Sequence, residues 1–234
     1  MNDILVFIPT YNEKKNIEII CNKLINLNFP LDILIIDDSS PDNTYEFAKE
    51  KFDNLKNFTI LKRKNKLGIG SAHLDSINHA YNKKYKYLIT MDADLTHKPE
   101  DIEIFLKEKN KYDLIIGTRF KNNESLKDWN IIRKLITNGG HILTKYFLNI
   151  PFDATGAFRL YNLEKISIND FNLIKSKHYD FFFESIMILN KKNYKIFEVP
   201  ITLPKRTYGN SKMSYLLLLN SLVKIIILFF KHGR

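Results

Sequence analysis

Short, largely apolar runs alternate with segments of helical periodicity through the first half of this chain. Ile4-Leu5-Val6-Phe7-Ile8 is the first run, and Leu31 to Ile36, Phe58 to Leu61, Lys86 to Met91 and Asp113 to Gly117 follow it. Runs that are apolar at successive positions, rather than at every second one, suit strands buried on both faces, as parallel sheets demand. Between the first two, Ile17, Ile20, Cys21 and Leu24 mark a helix from about Lys15 to Leu27. Pro41-Asp42-Asn43-Thr44 supplies turn and N-cap chemistry for a second helix reaching Lys51. A third spans Ile69 to Asn82. A short fourth opens at Pro99, with Glu100 and Asp101 in the first turn where the helix dipole favours them. The rhythm predicts an α/β fold: a mostly parallel sheet with helices on its faces.

The second half is less regular. Trp129 to Phe147 reads mainly as helix, with Gly139-Gly140 as a candidate break. Pro151 to Thr155 reads as loop, Ala157 to Tyr161 as strand and Tyr179 to Leu189 as helix. Lys195 to Leu203 suits an edge strand interrupted by Pro200. A basic polar loop, Lys205 to Lys212, precedes a terminal apolar helix, Tyr215 to Phe230.

Ligands bind such sheets outside the carboxyl ends of the strands. Four polar clusters follow strands here: Pro9-Thr10-Tyr11-Asn12-Glu13, Asp37-Asp38, Asp92-Ala93-Asp94 and Gly117-Thr118-Arg119. They are expected to line one crevice. Asp92 and Asp94 can hold a hard divalent cation through oxygen, with Thr96 a weaker ligand candidate in the same turn. Pro9 to Glu13 offers a rigid turn, an aromatic face and a carboxylate able to accept from a nucleobase. Asp38 can accept from base or ribose, while Asp37 can orient the Ser39-Ser40-Pro41 loop. His97, beside the acidic turn, is expected to pack that turn rather than act as a base.

Leu67-Gly68-Ile69-Gly70 contains G-x-G, but it lacks the third glycine and follows the third strand, so it fails as a dinucleotide fingerprint. Its glycines are read as relaxing a helix N-terminus. The single cysteine, Cys21, falls on a helical apolar stripe, which predicts a core thiol and fits a reducing compartment. A net charge of +10 raises nucleic acid as a partner, yet Asp37, Asp38, Asp92 and Asp94 in the crevice would repel a phosphate backbone. No nucleic acid is expected. The apolar N-terminal run is too short for a signal peptide. Tyr215 to Phe230 contains Asn220, Ser221 and Lys224 and is too short to span a bilayer.

Several of these stretches together resemble glycosyltransferase family 2, and specifically its dolichyl-phosphate (polyprenyl-phosphate) mannosyltransferases. The resemblance rests on Ile8 to Glu13, Ile36 to Asp42, Met91 to His97, Gly117 to Phe120 and Trp129 with Arg133-Lys134. It continues through Thr155 to Tyr161, Glu198 to Ile201 and Arg206 to Lys212. The chain departs from that pattern at Phe182, where a glutamine is usual, and at Thr137-Asn138-Gly139-Gly140. The resemblance implies a GT-A (Rossmann-like) catalytic domain over residues 1–213. Residues 214–234 would then form an amphipathic helix, either interfacial or packed on the core.

The resemblance also implies the site. Pro9, Tyr11, Glu13, Ile36 and Asp38 would contact the nucleoside, and Asp92, Ala93 and Asp94 the donor and a Mg2+ or Mn2+ ion. Arg119, Arg206 and Lys212 would hold phosphate charge, with Arg133 beside the acceptor. The expected reaction moves mannose from GDP-mannose to a dolichyl or polyprenyl phosphate by direct attack with inversion. UDP-glucose, another nucleotide sugar or a glycan acceptor is the alternative. A phosphate oxygen is already anionic near neutral pH, so no base pair is needed. An oily acceptor implies work at the cytoplasmic face of a membrane, as a peripheral protein. The terminal helix, flanked by Lys205, Arg206, Lys212, Lys231 and Arg234, would lie on anionic lipid or else cover the sheet. A small membrane subunit is a further possible partner.

Overall fold

The computed structural model describes residues 2–122, 124–127, 129, 131–204, 206–209 and 214–232. Seven strands form one sheet: β1 (Ile4–Thr10), β2 (Asp32–Asp37), β3 (Phe58–Lys62), β4 (Tyr87–Thr90), β5 (Leu114–Thr118), β6 (Arg159–Asn162) and β7 (Ile196–Pro200). Their order is β3-β2-β1-β4-β6-β5-β7. All neighbours run parallel except β6, which is antiparallel to both β4 and β5. Pro200 closes β7 on the sheet edge, where its missing N–H costs no ladder bond.

The apolar runs are buried throughout, but successive residues serve opposite faces. Leu5, Phe7, Leu34, Ile36 and Leu88 pack with α3 (Ile69–Asn82), α7 (Asp180–Lys191) and two residues, Ile225 and Leu228, of α8 (Tyr215–His232). Ile4, Val6, Ile8, Ile33 and Ile35 pack with α1 (Lys14–Ile25), α2 (Thr44–Phe52) and α4 (Ile102–Glu108). Cys21 lies wholly inside this second layer, where burial pushes its thiol pKa up, as the core reading requires. A 3-10 turn at Pro99–Asp101 leads into α4, and α6 is the short Ile168–Phe171.

The expected break at Gly139-Gly140 does not occur: α5 runs unbroken over Ile131–Leu148. Two interior glycines cost roughly 1 kcal/mol each in helical preference. Packing offsets this, because α5 lies along α8 and Phe147 meets Phe229 edge to face at 5.4 Å. The N-cap oxygen for α2 comes from within the expected Pro41 to Thr44 stretch. Asn43 adopts φ 60° and gives no cap, whereas Asp42 accepts from Thr44 N–H at 3.1 Å. No helix among the described residues is long and apolar enough to cross a membrane.

Candidate active site

β1, β2, β4 and β5 all end on the same side of the sheet, around a cleft of about 1020 Å³. Pro9, Tyr11, Glu13, Ile36 and Asp38 line one end. Asp92, Ala93, Asp94 and Thr96 line its middle, and Arg119, Arg133 and Arg206 surround them. Beyond the arginines the cleft continues between α5 and α8, past Ile132, Ile136, Leu218 and Leu222. The sequence had suggested the polar part. The apolar extension went unseen, because it needs two helices about eighty residues apart to pack together. Lys212 lies outside the described residues.

Three loops at the strand ends each hold a non-glycine residue in left-handed backbone: Asn12 at φ 57°, Ser39 at φ 61° and Leu95 at φ 64°. Such conformations persist only where surrounding structure imposes them, and they gather at functional sites. Leu95 is the telling one, since its side chain gains no local hydrogen bond in exchange. The turn it creates folds Thr96 back onto Asp94, whose Oδ1 accepts from Thr96 N–H at 3.1 Å and Oγ1 at 2.6 Å. Thr96 therefore orients Asp94. The outer Oδ2 of Asp94 faces Arg206 Nη2 at 2.6 Å. Burial opposes the Asp94 charge, but Arg206 and the Thr96 bonds outweigh it and hold the pKa below the usual carboxylate range.

Asp92 is the opposite case. Its side chain remains one-third exposed, at 33%. Desolvation and the neighbouring Asp94 charge push its pKa up to about 7. His97 Nδ1 accepts the Asp92 backbone N–H at 2.9 Å while the ring stacks on Phe158 at 5.0 Å. Burial lowers the His97 pKa to about 4. A neutral, buried imidazole that braces the turn matches the packing role. Tyr179, which no sequence signal marked, also lines the cleft, with its pKa raised to about 12 by burial and then by Asp92.

Asp37 organises its loop as expected, accepting from Thr10 Oγ1 at 2.8 Å and Ser40 N–H at 2.8 Å. Asp38 lines the cleft and also has partners of its own. It accepts from Leu67 N–H at 2.8 Å, Gly68 N–H at 2.9 Å and Arg63 Nη1 at 3.0 Å, so its oxygens fix the 66–68 loop. The glycines of that loop are also explained differently. A Cβ on Gly68 would stand 2.4 Å from the His178 ring, and one on Gly70 2.5 Å from the His178 carbonyl. They allow two backbone segments to approach, with Ser71 N–H reaching Lys177 O at 3.0 Å. Lys66 caps Tyr11, its Nζ 3.7 Å from the ring centroid.

Arg119 lines the cleft but is committed to Asp153 through Nε at 2.8 Å and Nη2 at 2.5 Å. The phosphate-binding expectation for it must accommodate that pairing. Asp153 is fully buried and its backbone N–H donates to Glu198 Oε1 at 2.6 Å, so the guanidinium is held in one place. Arg206 links one end of the cleft to its middle: Nη1 lies 3.7 Å from Glu13 Oε1 while Nη2 is on Asp94. Arg159, from the Thr155 to Tyr161 stretch, never reaches the cleft lining. It is completely buried, donating to the carbonyls of Gly156 at 2.8 Å, Ala154 at 3.1 Å and Phe182 at 2.9 Å.

Among the described residues no group of three or more acidic, histidine or cysteine side chains could hold a metal unaided. Two carboxylates at one turn still fit a hard cation that draws its other oxygens from phosphates or water, as Mg2+ commonly does. The donor set of Asp92 and Asp94 suits oxygen-seeking ions and offers nothing to soft ones.

A model described as glycosyl transferase family 2 matches residues 5–181. The chain is 31% identical over 212 residues to an undecaprenyl-phosphate mannosyltransferase of Micrococcus luteus, covering 90% of this chain and 87% of that one. It is 30% identical over 213 residues to a polyprenol monophosphomannose synthase of Mycolicibacterium smegmatis, covering 90% and 80%. Among solved structures, it superposes on glucosyl-3-phosphoglycerate synthase of Mycobacterium tuberculosis with Mn2+ and UDP at TM-score 0.67 and 14% identity, over 96% of this chain and 80% of that one. A mannosyltransferase of Pyrobaculum calidifontis with GDP-Man and Mn2+ gives TM-score 0.60 at 13% identity, over 99% of this chain and 64% of that one. At such identities the structures establish the fold alone, which is the expected GT-A arrangement.

Proposed function

The chain belongs to glycosyl transferase family 2, and from that membership we propose that it moves mannose from GDP-mannose to a polyprenyl phosphate at a membrane surface. The observation that carries this reading is the composition of one cleft. An acidic turn, three arginines and an apolar passage between two helices line it in sequence. Those are the needs of a charged donor, a phosphate nucleophile and a hydrocarbon tail.

Pro9, Tyr11, Glu13 and Ile36 provide the nucleoside end, and Asp38 fixes the neighbouring loop from behind. Asp92 and Asp94 would hold Mg2+ or Mn2+, which would neutralise the diphosphate of the departing nucleotide. Arg206, now on Asp94, would move onto that diphosphate, joined by Lys212 from the same basic stretch of sequence. Arg119 and Arg133 face the acceptor phosphate. One of its oxygens attacks the anomeric carbon while the bond from that carbon to the nucleoside diphosphate breaks. The leaving group keeps the electron pair, and configuration inverts. The attacking oxygen already bears charge, so no residue need remove a proton.

The outward faces of α5 and α8 support action at a lipid surface. Ile131, Tyr146 and Phe230 are each at least 75% exposed, more large apolar surface than a solvated helix pair normally leaves in water. Lys224 faces inward instead, 3.5 Å from buried Glu184, so it does not interrupt the outer face of α8.

The test is incubation of the purified chain with labelled GDP-mannose, a short polyprenyl phosphate and Mn2+. Label moving to the organic phase, and lost on chelation, supports the reading. Label moving only from UDP-glucose replaces the donor. No transfer to lipid phosphate from either removes the acceptor.

A further inference from the structure

Arg133 occupies an unfavourable place for a cation. It lies in the first turn of α5, where the helix dipole disfavours positive charge and which itself contains no acidic residue. Arg119 and Arg206 line the same cleft. Burial and the charges of those two arginines lower its pKa, against the pull of Asp94. An aromatic face lies against it: its Cζ stands 3.5 Å from the centre of the Trp129 ring. At that separation the guanidinium plane lies on the indole, in a side chain that lines the cleft.

Trp129 itself is only 8% exposed, packs with Leu126 and Leu203, and leaves its Nε1 buried with no partner among the described residues. A phenylalanine or leucine would fill that space without stranding a donor. The indole is therefore not there for its hydrogen bond. It is the side chain whose face attracts a cation most strongly.

We propose that Trp129 is the positioning residue for the acceptor phosphate: it holds Arg133 by its flat face so that the guanidinium edge receives a prenyl phosphate. This rests on the acceptor reading given above. It has an unusual consequence, because Trp129 is the chain's single tryptophan. The protein's own fluorescence should then report acceptor binding.

The experiment titrates farnesyl phosphate into the full chain while following tryptophan emission, with calorimetry in parallel. Wild type should show a saturable emission change that Arg133→Gln removes. Trp129→Leu should weaken farnesyl phosphate binding about tenfold, Trp129→Phe about threefold or less, and neither should alter affinity for GDP with Mn2+. In the Arg133→Gln background, Trp129→Leu should add nothing. Unchanged farnesyl phosphate binding by Trp129→Leu, or an equal loss with and without Arg133, overturns the positioning role. If Trp129→Leu fails to fold, an emission change that survives Arg133→Gln does so instead. Wild type that binds no farnesyl phosphate sinks the acceptor reading and this inference together, a result distinct from binding that ignores Trp129.

Discussion

His73 sits on α3 with both ring nitrogens unpartnered and a ring on every side: Phe7 at 5.1 Å, Phe181 at 5.1 Å and Phe182 at 5.0 Å. Burial, with a smaller push from Arg159, lowers its pKa to about 3. The unfolded chain takes up this proton near pH 6.5, so the contribution is complete above that value and is lost as pH falls towards the folded pKa. The slope is about 1.4 kcal/mol per pH unit for one proton. His73→Phe should flatten the loss of urea stability between pH 7 and pH 4.5, and identical slopes for the two proteins would refute the assignment. Phe182, where the family pattern has glutamine, is one wall of this cage. Some single residues were readable from type and place alone: Asp37, Asp92 and Asp94 are acids at the ends of buried strands. The pairings of Asp38 and Arg119 were not readable, for one reason. Their partners, Leu67 with Gly68 and Asp153, are about thirty residues away, and no local pattern discloses them.

Elements were easiest to recognise where periodicity is strong and hardest where glycine intervenes. The parallel strands and α1 to α3 lie within a few residues of their expected limits. Gly139-Gly140 misled because helix preference is a local quantity, while α5 is held by α8 from much later in the chain. A Cβ at Gly139 meets nothing within 4 Å, so Gly139→Ala should raise stability by about 0.5–1 kcal/mol in thermal or urea unfolding. Gly68→Ala should do the reverse, costing about 2 kcal/mol or more. Its backbone φ of +97° excludes a side chain sterically, and its Cβ would enter the His178 ring. Equal effects at the two sites would mean that the loop can rearrange freely. α8 offered two readings, interfacial or packed, and its residues divide between buried and exposed. Ile225 and Leu228 are buried in the core, while Ile226 and Phe230 remain outside it.

At the scale of the molecule, strand order brings the acidic turn after β4 beside the loops that follow β1 and β2, and α5 with α8 extends that cleft outward. The net charge of +10 and the bare apolar faces together predict salt-sensitive binding to anionic vesicles. Ile226→Asp with Phe230→Asp should weaken vesicle sedimentation about tenfold or more, while transfer to a short dispersed acceptor persists. Equal sedimentation would place the contact elsewhere. The whole account depends on a divalent ion held at Asp92 and Asp94 against the donor diphosphate. Electron paramagnetic resonance of Mn2+ titrated into wild type and Asp94→Asn, each with GDP, examines that grip directly. Wild type should immobilise Mn2+ in the presence of GDP, and Asp94→Asn should lose at least about tenfold in affinity while remaining folded. Mn2+ held equally well without the Asp94 carboxylate would contradict the account.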